Sequence, residues 1–531
     1  MKPRVVTQAL ATGPLATAAI SGNTRPEWYE QIPHDPAAWS ERIDAVRSES
    51  PRDWLNKLAP AFDATGKAKA RLEASSDGRG VVVTTGQQPG LFGGPLYTLT
   101  KALSTLALAD ALQQASGIPV APVFWAATDD TDFKEASSTV VSVPGGAQLL
   151  RIDHVTPLGP PMSAMPLADV SVQLDALRKA AGSTVDVGPL ELLEKWYREG
   201  QTVGSAFVGL LRGLFEPLGI AVIDASHTAT RNAAKTVLAG ALASASDIAE
   251  RVAERNRELE EAGFTPQVQD VPGLSLVFTM TSGARRRVPI KAATKQAVSE
   301  DMGPNVLLRP VVERAILPTA TYIGGPAEIA YFAQISPIAD ALGVPRPAIL
   351  PRWSCTVMEP HTERILEKLQ LLPEDLRDPH QAESQVALAQ LPKTVLEELE
   401  ATRALIDERM DALSEAVTAG QAPVTAAVTG GLRANLARRL DRFERRLIAA
   451  SKRRHADLMT EIGTARGSLY PLGKPQERAL NFIPLLARYG EALRSDMLDG
   501  AGEHALNLVG SAAESERSEE AMPARGLRDW T

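Results

Sequence analysis

The chain has 531 residues, 44% hydrophobic and 23% charged, a globular composition long enough for about three to four domains at ~100–200 residues each. Its 56 basic and 64 acidic side chains leave a formal charge of −8, which excludes a generally basic nucleic-acid binder while allowing a local basic surface. The single cysteine, Cys355, rules out an internal disulfide framework and argues against a cysteine-based zinc site, as expected in a reducing compartment.

No stretch reaches the ~20 apolar residues that span a bilayer. The N-terminus, MKPRVVTQALATGPLATAAISG, loosely imitates a signal peptide, but Thr7, Gln8, Thr12, Gly13 and Pro14 interrupt its apolar region. A soluble cytoplasmic protein is expected.

Residues 1–70 read as a Pro-punctuated lead-in followed by helical material. The first strong signal is the β-branched run Gly80 to Thr85, which ends in a glycine-rich loop, Gly86-Gln87-Gln88-Pro89-Gly90-Leu91-Phe92-Gly93-Gly94. Pro95 suits a first helical turn, and Leu96 to Gln114 keeps helical spacing. A second buried-type strand, Val120 to Trp125, completes a βαβ unit whose two strands should lie parallel. Further on, Leu149 to Ile152 reads as a strand, Leu190 to Phe215 as helical, and Ile220 to Asp224 as a buried strand. One long helix is expected from Thr228 to Ala262, then antiparallel strands within 268–290, a helix that follows Pro326 and runs to Leu342, and a last strand at Ala348 to Leu350.

Beyond residue 390 the pattern changes. Leu396, Leu399, Arg403, Ile406, Met410, Leu413 and Val417 keep a 3-4 spacing, and Leu436, Leu440, Phe443, Leu447 and Ala450 repeat it after a Gly/Pro turn. Two such helices make an antiparallel hairpin. The first is acidic and the second basic, with Arg438, Arg439, Arg442, Arg445 and Arg446. Complementary solvated faces explain that contrast. An RNA-binding stalk is the alternative, but aromatic residues to stack bases are nearly absent.

The chemistry concentrates at two loops. The glycine loop leads into a helix N-terminus, where backbone N–H groups suit phosphate or carboxylate, and Gly93 and Gly94 permit close approach. It matches neither nucleotide-binding fingerprint, and a plain βα turn remains open. The second loop, Thr128-Asp129-Asp130-Thr131-Asp132-Phe133-Lys134-Glu135, follows the second strand. Its carboxylates can hold an ammonium, take Mg²⁺ with nucleotide, or act as a base, or simply cap the next helix. In an open parallel sheet both loops should face one crevice. Two further segments stand out: Gly324 to Gln334, with Ala327, Tyr331 and Gln334 on one helical face, and Pro351-Arg352-Trp353-Ser354, with an anion-binding Arg beside a hydroxyl. The seven histidines show no paired spacing, so no histidine metal site is expected. Cys355 reads as a buried structural thiol.

The run Val83-Thr84-Thr85-Gly86-Gln87-Gln88-Pro89-Gly90-Leu91-Phe92-Gly93-Gly94-Pro95-Leu96-Tyr97-Thr98 resembles the Thr-Gly-Gln-Gln-x-Gly-Leu-Phe-x-Gly-Pro-Leu-Tyr-Thr signature of the bacillithiol-biosynthesis cysteine-adding enzymes, the BshC family. The resemblance recurs in order at Val123-Phe124-Trp125, Leu259 to Phe264 with Pro266-Gln267-Val268, Pro304-Asn305-Val306 with Arg309-Pro310, Gly324 to Gln334, Pro351-Arg352 with Ser354, and Gly473 with Gln476-Glu477-Arg478 and Asn481. It covers about 80 to 490.

The resemblance implies an α/β fold: a Rossmann-like parallel-sheet core similar to nucleotidyltransferases and class I aminoacyl-tRNA synthetases, with insertions, plus an antiparallel coiled coil that mediates homodimerisation. The implied domains are a core over 1–372 with insertions near 230–300, a coiled-coil hairpin over 373–470, a returning segment over 471–510 and a disordered tail over 511–531. The implied activity is ligation of L-cysteine to the amino group of glucosaminyl-malate, the last step to bacillithiol. Activating a carboxylate toward an amine points to ATP and Mg²⁺. The residues carried over are Asp129, Asp130, Asp132 and Lys101 for catalysis. Gly86, Gln87, Gln88, Gly93, Gly94, Tyr331, Gln334, Arg352 and Ser354 are carried over for substrate, and Gln476, Arg478 and Asn481 for nucleotide. The family usually reads Glu-Asp-His-Asp where this chain has Asp129-Asp130-Thr131-Asp132. The missing imidazole raises the alternative of a same-fold ligase or transferase for another amino acid or amino sugar, beside a non-catalytic scaffold or RNA-binding relative.

Overall fold

The computed structural model describes residues 2–156, 158–281, 284–299, 301–420 and 423–510; the tail expected over 511–531 lies outside them. Five parallel strands form the central sheet: β1 (Val81–Gln87), β2 (Val120–Ala126), β3 (Ala221–Asp224), β4 (Thr319–Gly324) and β5 (Ile349–Pro351). Their order across the sheet is β5-β4-β1-β2-β3. The chain therefore winds outward from β1 through β2 to β3, then returns to lay β4 on the other side of β1. That reversal is a topological switch point, the place where ligands bind in open α/β sheets.

The strands form where the sequence offers β-branched and aromatic runs. Val81, Val82 and Val83, and every residue of β2, are buried, as a parallel sheet covered on both faces requires. Pro122 sits inside β2 opposite Val83, although proline cannot donate to a ladder. The pairing with β3 begins one residue later, at Val123 opposite Ala221, so the missing N–H interrupts nothing on that side.

Helix α1 (Leu96–Ser116) is buried along most of its length, including polar Thr98, Thr100, Lys101, Ser104 and Thr105. A helix buried all round must be covered on both sides. The sheet lies on one flank, and helix Ile483–Val509 packs on α1 as well. The N-terminal residues join the same unit, Arg4–Thr7 pairing antiparallel with Cys355–Met358.

Three expected helices are each broken in two. Thr228–Ala243 and Ala245–Glu261 meet at Ser244, whose ψ of 17° leaves the helical range. The bend lets Leu238 and Leu242 on one side and Ile248 and Val252 on the other all reach the core. Pro326–Phe332, here α2, stops before Ser336–Leu342, because Pro337 supplies no N–H and prefers a first turn. Gly188–Trp196 and Val203–Phe215 are separated around Gly200, whose φ is 85°. Antiparallel strands Leu274–Thr281 and Ala284–Pro289 form, joined by Gly303–Pro304 as a third strand. Gly146–Arg151 lies in a separate two-stranded sheet, not in the central one.

The chain divides into two compact units, one holding the described residues of 1–141, 149–358 and 477–510, the other 142–148 and 359–476. The borders thus fall at 358/359 and 476/477, where the sequence suggested 372/373 and 470/471. The second unit contains the hairpin of α3 (Lys393–Ala419) and α4 (Ala426–Arg454). Ion pairs cross it in both senses: Arg433 of the basic helix bonds Asp411 of the acidic one, while Arg403 of the acidic helix bonds Asp441 at 2.8 Å and Glu444 at 2.6 Å on the basic one. The hairpin's apolar stripe is incompletely covered, with Met410 buried but Leu405, Leu413, Leu432 and Phe443 exposed. Among the described residues no helix is long and apolar enough to cross a membrane.

Candidate active site

The carboxyl ends of β1, β2 and β4 open onto one cleft of ≈ 600 Å³ at the switch point. Gly86, Gln87 and Gln88 line it from the end of β1, Asp129, Asp130 and Thr131 from the loop after β2, and Gly325 to Glu328 with Tyr331 from α2 and its approach. Lys101, Arg352 and Arg478 complete the set of carried-over residues found there. The two loops thus share one hollow, and Gln88 Nε2 donates to Asp130 Oδ2 across it.

Lys101 sits at the centre. Its ammonium donates to the Gly86 carbonyl at 2.8 Å, to Gln87 Oε1 at 3.1 Å and to Glu328 Oε2 at 2.5 Å. An ammonium has three protons, so all are committed. The structure therefore gives the expected catalytic lysine a positioning role. Burial pulls its ammonium below the ordinary range, against the opposing pull of Glu328. Glu328 meets the same burial penalty, yet Lys101 and the Gly325 N–H hold its carboxyl below the usual range. Gly325 N–H donates to Glu328 Oε2 at 2.7 Å and Tyr322 Oη to Oε1 at 2.6 Å. One carboxylate thus binds α1, β4 and the start of α2.

The acidic loop divides its labour. Asp129 is ion-paired with Arg285 at 3.0 Å, and the same guanidinium donates to the carbonyls of Asp129 at 2.7 Å and Pro304 at 2.8 Å. Phe278 stacks under it at 4.4 Å. Asp129 therefore fastens the inserted hairpin to the cleft, a holding role in place of the catalytic one expected. Asp132 caps the short helix Phe133–Ala136, its Oδ1 accepting the Glu135 N–H at 3.1 Å, and likewise serves the backbone. Asp130 accepts the Asp132 N–H at 2.9 Å and the Gln88 amide, and faces the cleft. Of the three aspartates it is the one that lines the cleft without being ion-paired to a neighbouring side chain. Glu135, beside Asp132 and Asp130, is pushed above its ordinary range by burial and by those two charges.

Several carried-over residues serve packing. Gly93 and Gly94 adopt φ of 88° and 81°, open to glycine without strain, and a Cβ on Gly93 would lie 2.9 Å from the Phe482 ring. Asn481 is fully buried. Its Nδ2 lies 3.0 Å from the Phe92 carbonyl, 3.2 Å from that of Gly94 and 3.0 Å from Thr139 Oγ1, while its Oδ1 accepts the Ile483 N–H at 2.9 Å. It shapes the glycine loop from behind, with its amide bonded to the protein itself. Gln334, also fully buried, pins the 264–270 connection by bonds to Val268 N–H at 3.0 Å and Val268 carbonyl at 2.9 Å. Ser354 donates to Glu477 at 2.8 Å, and Gln476 belongs to the second unit, where it donates to the Ser468 carbonyl at 3.1 Å. Cys355 is buried and burial pushes its thiol up, which leaves it without thiolate reactivity.

The cleft is also lined by residues that were given no site role: Tyr97 and Arg309, which lie within the motifs of the resemblance, and Arg285 and Tyr322, which lie outside them. Arg309 bonds Glu313 at 2.8 Å and Tyr331 Oη at 3.1 Å, and stacks on Tyr322 at 4.9 Å. The Arg309/Glu313 spacing is an i,i+4 helical pair visible in the sequence. In Arg285-Arg286-Arg287, strand alternation places 285 and 287 on one face, and both line the cleft. Among the described residues no group of three or more His, Cys, Asp or Glu side chains is arranged to hold a metal ion.

The family model described as the N-terminal Rossmann-like domain of bacillithiol biosynthesis BshC matches residues 20–353, and that of its C-terminal coiled-coil domain matches 355–506. A protein of Koribacter versatilis is 33% identical over 477 residues, covering 84% of this chain and 87% of its own length. One of Solibacter usitatus is 31% identical over 439 residues, covering 79% and 82%. One of Chlorobaculum tepidum is 27% identical over 504 residues, covering 85% and 86%. Each carries the name "Putative cysteine ligase BshC".

Replacing Asn481 by Ala should lower stability by about 1–3 kcal/mol, because buried carbonyls of the glycine loop lose their donor. Urea unfolding checks the value, and an unchanged midpoint would contradict the loop-shaping role.

Proposed function

This chain belongs to the BshC family, and on that premise we propose that it is a cytoplasmic ligase that joins L-cysteine to the amino group of glucosaminyl-malate, the last step to bacillithiol. The observation that carries the reading is the shared cleft. A carboxylate, Asp130, faces it from one strand end, and six cationic side chains against three acidic ones line it as a whole. Such a cleft suits partners that bring an ammonium together with carboxylate or phosphate. Asp130 orients the ammonium and takes a proton from it, which frees the nitrogen lone pair that forms the C–N bond, and the exposed Arg478 faces the anionic groups beside Arg352, itself paired with Glu477. Holding both reactants in one geometry removes much of the entropic barrier.

ATP would supply the leaving group that makes the cysteine carboxyl reactive. Among the described residues no side-chain cluster is arranged to hold Mg²⁺, so the ion would be carried on the nucleotide's phosphates.

Thr131 favours a second reading. It lines the cleft where the family usually carries histidine, so a different amine or amino acid is the alternative substrate. The half-exposed Phe443, with Leu432 on the same helix, supports a homodimer through the hairpin.

Purified protein given L-cysteine, glucosaminyl-malate, ATP and Mg²⁺ should form bacillithiol, detected by mass spectrometry. Asp130→Asn should slow it by about 10²-fold or more, the usual loss for a general base. Absence of product with the native chain would refute the assignment. Thr131→His should leave cysteine turnover within a few-fold if cysteine is the native substrate; turnover that appears only in this variant would favour the alternative. Phe443→Glu with Leu432→Glu should convert a dimer to a monomer in sedimentation equilibrium, and an unaltered mass would remove the hairpin as the interface.

A further inference from the structure

Of the cations on the cleft, Lys101, Arg285, Arg309 and Arg352 are each ion-paired, with Glu328, Asp129, Glu313 and Glu477 in turn. Arg478 is exposed. Arg287 differs from all of these. It is half-buried on the inserted strand Ala284–Pro289, and its acceptors are neutral carbonyls: Ser275 at 2.6 Å from Nε and Leu274 at 3.1 Å from Nη2. Among the described residues no carboxylate is ion-paired with it. Burial pulls its guanidinium below the ordinary range, and the more distant Asp270 pulls the other way. Its other terminal nitrogen, Nη1, has no partner among the described residues and is not sealed from solvent. A charged donor is thus left over on the cleft wall.

Asn305 supplies a second, independent observation. Its Oδ1 accepts the Leu308 N–H at 2.9 Å, and its carbonyl accepts the Arg309 N–H at 2.9 Å, as the chain turns into helix Arg309–Ile316. The first bond fixes which end of the carboxamide is oxygen, so the other end is the NH₂ donor. That Nδ2 donates to no described residue and, like Arg287 Nη1, is accessible. Both residues line the cleft, and both border a side cavity of ≈ 20 Å³, room for about one water. They converge on one strand: Arg287 reaches the carbonyls of Leu274 and Ser275, and the Asn305 N–H donates to that of Leu276 at 2.8 Å. This wall is fastened to the acidic loop. Arg285, on the same strand face as Arg287, bonds Asp129 and the carbonyl of Pro304, the residue before Asn305. Two accessible donors therefore adjoin the loop that carries Asp130.

We propose that Arg287 and the Asn305 carboxamide form a carboxylate subsite on the inserted sheet, which receives the acid groups of the substrate that carries the amine. A guanidinium N–H and an amide N–H, neither of them met by a carboxylate of the protein, suit an anionic oxygen better than a neutral one. In a glucosaminide the amine stands on the ring carbon next to the one that bears the aglycone. An amine held by Asp130 therefore brings the malyl carboxylates to the adjoining wall. The proposal deepens the ligase reading and rests on it for the identity of the ligand.

Isothermal titration of the full chain reads binding without turnover. Three probe pairs are compared: glucosaminyl-malate with methyl glucosaminide, L-malate with its dimethyl ester, and ATP with adenosine. Asn305→Asp keeps the acceptor that closes the turn, so the thermal midpoint should stay native, but it turns the donor into a second acceptor. It should weaken glucosaminyl-malate and L-malate by about tenfold or more, the scale of one charge-assisted bond, and leave methyl glucosaminide no weaker. Arg287→Gln, which removes the charge, should repeat the loss. Native-like affinity for the malyl acids in either variant, an equal loss with the probes that lack the acid groups, a loss confined to ATP, or a native chain that binds neither malyl acid would overturn the subsite. A chain whose L-malate binding depends on Arg287 and Asn305 but which makes no thiol product keeps the subsite and loses the ligase reading. Product formation with malyl-acid affinities unchanged in both variants does the reverse.

Discussion

The ammonium of Lys101 is the constraint on which the cleft depends. It is buried at the switch point with two protons given to the end of β1, at the Gly86 carbonyl and the Gln87 side chain, and the third to the carboxylate at the start of α2. Taking an ammonium and a carboxylate out of water costs several kcal/mol per ion unless the pair and its remaining bonds are well made. Here Glu328 has Tyr322 and the Gly325 N–H as additional donors, so neither charge is left uncompensated. Such an arrangement tolerates little displacement. It holds the two strands flanking the reversal in one relation, which preorganises the groups a ligand would meet.

A second clasp works from the insertion. Arg285 reaches from the antiparallel hairpin to Asp129 and to the Pro304 carbonyl, so a single guanidinium closes one wall of the cleft. This explains why an acidic run of three aspartates presents one carboxylate to a ligand. Asp129 neutralises Arg285, Asp132 caps a short helix outside the cleft lining, and Asp130 lines the cleft without an ion pair. Charge clustering in a sequence measures how many acids lie near a site, not how many face it.

The fold was largely legible. Continuous β-branched runs with glycine loops at their ends announced parallel strands, and 3-4 apolar spacing announced the hairpin, because both signals are local. The breaks at Ser244 and before Pro337 were less so, since helical periodicity runs on across a bend. Of the site, Gln87, Gln88, Asp130, Lys101 and Arg352 were found through their motifs, and all line the cleft. The same motifs also delivered Asn481, Gln334 and Ser354, whose polar atoms are spent inside the protein. Arg285 and Tyr322 were passed over, and Arg309 was quoted without a role, because they come from elements remote in sequence that meet only at the strand ends.

By itself, then, the sequence determined the strand-and-loop order, the helical hairpin and the two loops where chemistry concentrates, since periodicity, turn residues and motif spacing are written along the chain. Tertiary structure alone decided which polar groups remain available. Lys101 is saturated, Asp129 is tied to Arg285, and Arg352 is paired with Glu477. Availability depends on the neighbours that folding brings within hydrogen-bond distance, and those neighbours lie tens to hundreds of residues away.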